Sequence, residues 1–207
     1  MGKRIFIAGI GTEVGKTLCS AIVVEALQAD YWKPVQAGDL DNLDSDRVRH
    51  HISNPISTIH KETYLMSQPI SPHAAARIDG IEIKLSDFKV PETENTLIIE
   101  GAGGLMVPLN ETGDTILDLI PLISDETILV SRNYLGSINH TLMSIELLKS
   151  RNIPIKGILF NGEPNAETEE IILKMSDVLC LAKIPVCRGS LKEFISEYAI
   201  RISKALC

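Results

Sequence analysis

Short apolar runs alternate with longer amphipathic ones along this chain, and that alternation leaves it few folds. KRIFIAG, YWKPV, NTLIIEG, ETILVS, IKGILFN and AKIPV are short and β-branched, and glycine, proline or polar residues close them, which predicts buried strands. Between several of them lie helical patterns, clearest at 16 to 28, 138 to 150, 166 to 179 and 190 to 206. Strands that are apolar throughout and separated by helices predict an α/β doubly wound, mostly parallel sheet with helices on both faces. The region 39 to 95 is less periodic, with a polar DLDNLDSDR, an SPH ahead of a short AAAR helix, and a run to Pro91. It is expected to hold connections and part of a site.

Size and charge limit the possible functions. A chain of 207 residues, 44% hydrophobic and 23% charged, is long enough for one sizeable core, so a single domain over 1–207 is expected. Net charge is −7 and the Lys and Arg residues are scattered, which leaves no electrostatic footprint for a nucleic-acid partner. MGKRIFIAGIG is too glycine-broken for a signal peptide, and no apolar stretch approaches the roughly 18 residues of a membrane span. The expectation is a soluble, cytoplasmic protein without a membrane partner. Cys19, Cys180, Cys187 and Cys207 show no CxxC spacing, which predicts free thiols.

In a sheet of this kind ligands bind beyond the carboxyl ends of the strands. After the first strand comes GIGTEVGKT, residues 9 to 17, which reads as a phosphate-binding loop. Its glycines let backbone N–H groups approach phosphate oxygens, the helix behind offers its positive end, Lys16 supplies charge and Thr17 can ligate magnesium. The loop is one residue longer than the usual spacing, with Ile10 where a glycine is expected and Gly9 one step out. After the second strand stands Lys33, either a snorkelling surface lysine or, with Pro34 fixing the backbone behind it, a pointed functional one. Asp46 lies in the acidic loop, which by default is a solvated turn. Glu100 closes the run TLII where a Walker B acid sits, and Gly101, Gly103 and Gly104 leave room for a ligand. Thr17, Asp46 and Glu100 together make an oxygen-only set suited to magnesium.

GxxTEVGKT, KPVxxG, an Asp loop, SPH, EGAGGLxVPL and LGSINHT occur in that order over about residues 3 to 161, with a weaker echo in KIPV near 184. In this the chain resembles the dethiobiotin synthetases, ligases of biotin biosynthesis with a P-loop NTPase fold and the same stretched loop. The resemblance implies a homodimer that uses ATP and Mg2+ to close a cyclic urea on 7,8-diaminononanoate with carbon dioxide. The diamine would capture carbon dioxide as a carbamate, ATP would phosphorylate it, and the second amine would expel phosphate.

Carried over residue by residue, the resemblance gives Lys16, Lys33 and Thr12 catalytic roles, with magnesium on Thr17, Asp46 and Glu100. Glu13, Val14, Gly15, Lys16, Thr17 and Leu18 would hold the nucleotide phosphates, joined by Gly101, Ala102 and Gly103. Asn161 and Gly162 would read adenine, and Pro185, Val186 and Cys187 would pass along the base. Thr12, Lys33, Ala37 and Pro72 would face the diamine. Gly136, Ser137, Ile138 and Asn139, at a helix start contributed by the neighbouring subunit, would receive its distal carboxylate. His73 and His140 fit positioning roles as well as acid–base ones. The chain departs from the family at Ala37, where a serine is usual, and in CRGSLKEFISE after Val186.

Three rival readings share parts of this pattern. Corrin-ring amidating synthetases need a fused glutaminase, for which 207 residues leave no room. A septum-positioning ATPase brings a second lysine at position 10, where this chain has Ile10. The remaining alternative is a related P-loop ATPase or nucleotide-binding module acting on another carboxylate or carbamate. Lys33 and Glu100 argue against it, since binding alone needs neither.

Overall fold

The computed structural model describes residues 2–206, so Cys207 lies outside the described residues. Cys19, Cys180 and Cys187 are free thiols.

A seven-stranded sheet is built from β1 (Arg4–Gly9), β2 (Asp30–Trp32), β4 (Ile59–His60), β6 (Leu97–Glu100), β7 (Glu126–Arg132), β8 (Ile155–Asn161) and β9 (Cys180–Ile184). Its order is β4-β2-β6-β1-β7-β8-β9, and every neighbouring pair is parallel. The strands alternate with α1 (Lys16–Leu27), α2 (Asp44–His51), α3 (Pro72–Asp79), α4 (Ile116–Ile123), α5 (Ser137–Ser150), α6 (Ala166–Ser176) and α7 (Leu191–Leu206). The expected doubly wound α/β architecture is what the chain adopts.

Both faces of the sheet are buried, which is why its strands read as continuous apolar runs. Successive side chains of a strand point to opposite faces. Ile5 and Ile7 accordingly pack with Ile22 and Val23 of α1 and Ile195 and Ile202 of α7, while Phe6 and Ala8 pack with Leu119 and Ile120 of α4 and Ile145 and Leu148 of α5.

Within the stretch read as connections, with an acidic loop around Asp46, the chain forms α2 and β4, and two further elements differ from the sequence reading. YWKPV is not one strand. The chain leaves the sheet after Trp32, and β3 (Val35–Ala37) pairs instead with β5 (Tyr64–Met66) in a separate two-stranded sheet. Pro34 has no N–H for a ladder, and its carbonyl instead accepts from the N–H groups of Thr63 and Tyr64, each at 3.0 Å. The second is α4, unforeseen because Pro121 sits inside it. A capping box between Thr115 and Asp118 starts that helix, and five of its apolar side chains are buried.

The strand order decides where a site can form. With β6 inserted between β2 and β1, the carboxyl ends of three neighbouring strands lie side by side. Glu100 pairs in register with Ile7, and Ile99 with Trp32. The loop after β1, Lys33 after β2 and Glu100 at the end of β6 are thereby brought together.

Candidate active site

The loop after β1 folds tightly back on itself. A Cβ at Gly9 would stand 2.9 Å from the Val14 side chain and 3.0 Å from that of Lys16, so a larger residue there would crowd both. Glu13 takes a left-handed conformation at φ 58°. Gly15, at φ 93°, caps α1, and a Cβ there would lie 2.0 Å from the Asn161 amide nitrogen. No side chain caps α1 and its first turn holds no acid, so the helix end is open to an anion. Lys16 is buried beside it and donates from Nζ to the Gly11 carbonyl at 2.9 Å. Burial pulls the Lys16 pKa down to about 8, with Glu100 opposing and Lys33 adding to the drop.

A charged cluster lies next to this loop. Glu100 is 1% exposed, and its carboxylate accepts from Thr17 Oγ1 at 2.8 Å, Tyr31 Oη at 2.9 Å and Lys33 Nζ at 3.1 Å. Lys33 also pairs closely with Asp44. Burial works against the Lys33 ammonium, but Glu100 and Asp44 outweigh it and hold the pKa above its ordinary value. Lys33 is therefore a fixed positive charge at neutral pH. Burial likewise raises Asp44, and Lys33 and Thr17 overcome it to leave a carboxylate below the usual range. Tyr31 is pushed well above its ordinary value by burial and by Glu100, so it stays a donor.

The aspartate in this cluster is Asp44, which corrects the expectation of Asp46. Residues four apart share a helix face, whereas residues two apart do not. Helix α2 starts at Asp44, which turns inward together with buried Val48, while Asp46 turns outward to pair with Arg49. Thr17, Asp44 and Glu100 are thus the hard oxygen groups that the structure brings together. Among the described residues no three His, Cys, Asp or Glu side chains form a metal cluster. Two carboxylates and a hydroxyl suit magnesium only as a partial set, with phosphate oxygens and water filling the remaining positions.

These groups line one cavity of about 620 Å³. Of the expected residues, Thr12, Glu13, Gly15, Lys16, Thr17, Lys33, Ala37, Pro72, Glu100, Ala102 and Gly103 line it. Sequence reasoning missed Asp39, Asp44 and Arg47, together with Gln36, Ser71 and Val107 on the wall toward α3. Arg47 ties the acidic loop together, reaching Asp39 at 3.4 Å and Asp44 at 3.5 Å. Val14 and Leu18 turn into the packing of α1. Gly101 serves close packing, since a Cβ there would meet the Phe6 ring at 2.8 Å. The backbone N–H of His73 donates to the Pro108 carbonyl at 3.3 Å, and the His140 ring bonds Tyr134 Oη at 2.8 Å on the surface.

The expected base-binding residues sit at the ends of β8 and β9. Asn161 donates from its amide to the Val14 carbonyl at 2.8 Å, joining β8 to the phosphate loop. Gly162 and Pro185 line a second, smaller cavity of about 190 Å³. Val186 is exposed beyond it, and the Cys187 thiol lies 3.7 Å from the Gly189 carbonyl.

The start of α5 is not in the main cavity of its own chain. Gly136 caps it at φ 102°, Leu135 is fully exposed, and Ile138 and Asn139 face outward. Ser137 is buried and its backbone N–H is bound to the Tyr134 carbonyl at 2.9 Å, so that N–H is not free for an anion. The N–H groups of Ile138 and Asn139 are those an α-helix leaves without an intrahelical carbonyl.

Comparison with known proteins adds family and fold. A family model described as an AAA domain matches residues 3–192. The chain is 54% identical to the ATP-dependent dethiobiotin synthetase BioD of Christiangramia forsetii over 207 residues, all of this chain and 99% of that one. It is 51% identical to the protein of the same name from Cytophaga hutchinsonii, with 97% of each chain covered. Among solved structures it is similar to the septum site-determining protein MinD of Pyrococcus horikoshii, complexed with Mg-ADP. That match has a TM-score of 0.58 and 16% identity over 100% of this chain and 96% of the other, a likeness of fold alone.

Proposed function

The chain belongs to the ATP-dependent dethiobiotin synthetase family, and on that premise we propose how its cavity carries out the family's reaction. It is an ATP-dependent ligase that forms carbon–nitrogen bonds. One amine of 7,8-diaminononanoate takes up carbon dioxide as a carbamate, and the γ-phosphoryl group of ATP passes to a carbamate oxygen. The second amine then attacks the carbonyl carbon, phosphate leaves with the C–O bond, and the cyclic urea of dethiobiotin is released with ADP.

Charge placement supports assigning roles within that sequence. Lys33 is permanently cationic and cannot serve as a base, so it stabilises the carbamate and the charge that grows on its oxygen during transfer. Lys16, with a pKa of about 8, is still mostly cationic at neutral pH, and a bound phosphate favours that charged form. Thr17, Asp44 and Glu100 would hold magnesium, which would supply positive charge to the phosphate oxygens. Thr12, Ala37 and Pro72, which line the cavity, border the diamine. Asn161, Gly162 and the 185–187 segment take the adenine.

The outward-facing α5 start, bearing exposed Leu135 and Ile138, supports a homodimer. In it each site takes the substrate carboxylate on Ile138 and Asn139 of the partner. We assign the chain one catalytic domain over 1–207 and a cytoplasmic setting. No described helix is long and apolar enough to cross a membrane.

The observation that carries the reading is the meeting of Lys16, Thr17, Lys33 and Glu100 around one cavity at three strand ends. The test is phosphate release from ATP with diamine, bicarbonate, both or neither. Release that needs both supports the ligase. Release independent of the diamine favours the alternative, a P-loop ATPase acting on another carboxylate.

A further inference from the structure

The main cavity does not use Glu169. This residue lies on α6, is 1% exposed, and gathers donors from three separate elements. Oε1 accepts from the Asn165 N–H at 3.0 Å and from the Asn133 amide at 2.8 Å, and Oε2 pairs with Lys183 Nζ of β9 at 2.7 Å. Asn133, just beyond β7, also donates to the Glu163 carbonyl at 3.0 Å. Asn133, Glu169 and Lys183 all line the smaller cavity, whose other walls include Gly162, Pro164 and Pro185.

A buried carboxylate is costly unless it is paired and hydrogen-bonded, so this one must be compensated locally. Burial pushes its pKa up, and Lys183, Asn165 and Asn133 overcome that and keep it below the ordinary range, hence ionised. The simplest use of such a group is to finish the first turn of α6, to which the Asn165 contact belongs. That use needs neither Asn133 nor Lys183. Those two residues extend the reach of Glu169 to β7 and β9, on either side of β8, and fix the segment 162–165 that follows Asn161.

We propose that Glu169 is a positioning residue for nucleotide recognition: it pins the segment after β8 to both neighbouring strand ends and so shapes the wall against which the base of ATP rests. This inference rests on the proposed placement of adenine at Asn161, Gly162 and Pro185. The phosphate loop is tied to β8 through the Asn161 amide on the Val14 carbonyl, and the Glu169 carboxylate bonds Asn133, Asn165 and Lys183 but not Asn161.

Two probes separate the base side from the phosphate side: ADP and inorganic triphosphate, each titrated calorimetrically onto the full-length protein. Glu169→Gln keeps shape and loses charge. It should weaken ADP about tenfold, the equivalent of one charge-assisted hydrogen bond, and leave triphosphate unchanged. In turnover the KM for ATP should rise while kcat and the KM for the diamine stay constant. Asn133→Ala, which removes the β7 tie without touching the carboxylate, should act in the same direction and serves if Glu169→Gln does not fold. Equal loss of both probes, or loss of neither, overturns the proposal. Asn161→Ala tests the underlying placement. If it leaves ADP affinity intact the base lies elsewhere, whereas an Asn161→Ala defect beside an unaffected Glu169→Gln refutes the role of Glu169 alone.

Discussion

Replacing Lys33 by methionine keeps the length of the side chain and removes its charge. It leaves the Glu100 side chain, fully buried, and the Asp44 side chain, 15% exposed, facing each other without the cation between them. Removing one partner of a buried ion pair costs about 3–5 kcal/mol, a large part of the stability of an ordinary domain. The pH dependence of that loss identifies its cause. In the variant, burial and like charge raise one carboxylate pKa above its ordinary range, so the penalty is felt above that raised value and fades as protonation relieves it. In the parent the Asp44 pKa is depressed, so its contribution persists down to the ordinary aspartate value near 3.9 and is lost only below it. Urea midpoints should therefore differ widely at pH about 7 and converge toward pH about 5. Magnesium at roughly ten times its dissociation constant should return about 1.4 kcal/mol to the variant by occupying the same carboxylates. A deficit identical at both pH values, or none at all, would show that Lys33 contributes packing and not charge.

Lys16→Gln should abolish product formation with no loss of secondary structure by circular dichroism, since the side chain serves charge. Retained turnover would remove the phosphate-loop assignment. Because the free-enzyme pKa of Lys16 is about 8 and bound phosphate favours its charged form, ADP affinity should fall as pH rises above about 8. Lys16→Arg should flatten that profile in calorimetry, and a parent profile that is already flat refutes the linkage. Glu100→Gln should raise the magnesium requirement steeply, and a magnesium titration that overlays the parent's would make Glu100 a structural acid. Mixed dimers of Lys16→Gln and Asn139→Asp, each inactive alone, should recover roughly a quarter of parent activity after random subunit exchange, because one site then collects both lesions and the other none. Mixed dimers that form, by tagged pull-down, and stay inactive place the whole site within one chain.

What the sequence disclosed about this molecule depended on periodicity. The buried strands, the loop ending in Gly15, Lys16 and Thr17, and Glu100 at the close of TLII were legible because each sits where apolar character stops abruptly. Lys33 was ambiguous from its neighbours, and what settles its burial is β6 lying beside β2, a pairing between residues far apart in the chain. Asp44 and Asp46 were indistinguishable in an acidic run without apolar period. Only the phase of α2, set by Val48 packing against α1, sends one inward. Helix α4 was hidden by Pro121, a residue that argues against helix locally but is tolerated where burial of the surrounding leucines and isoleucines outweighs it. The Glu169 ties had no sequence signal, because Asn133, Glu169 and Lys183 meet only across three elements.

Gly15 and Asn161 constrain each other's history. A side chain of any size at position 15 would have to occupy the space of the Asn161 amide, 2.0 Å away, and would also adopt a left-handed backbone at φ 93°. Asn161 is in turn held in place by the Val14 carbonyl next door. Mutations at these two sites should therefore be strongly non-additive. On the proposed placement of the base at Asn161, a change in the grip on phosphate at position 15 therefore reaches the base side of the site as well.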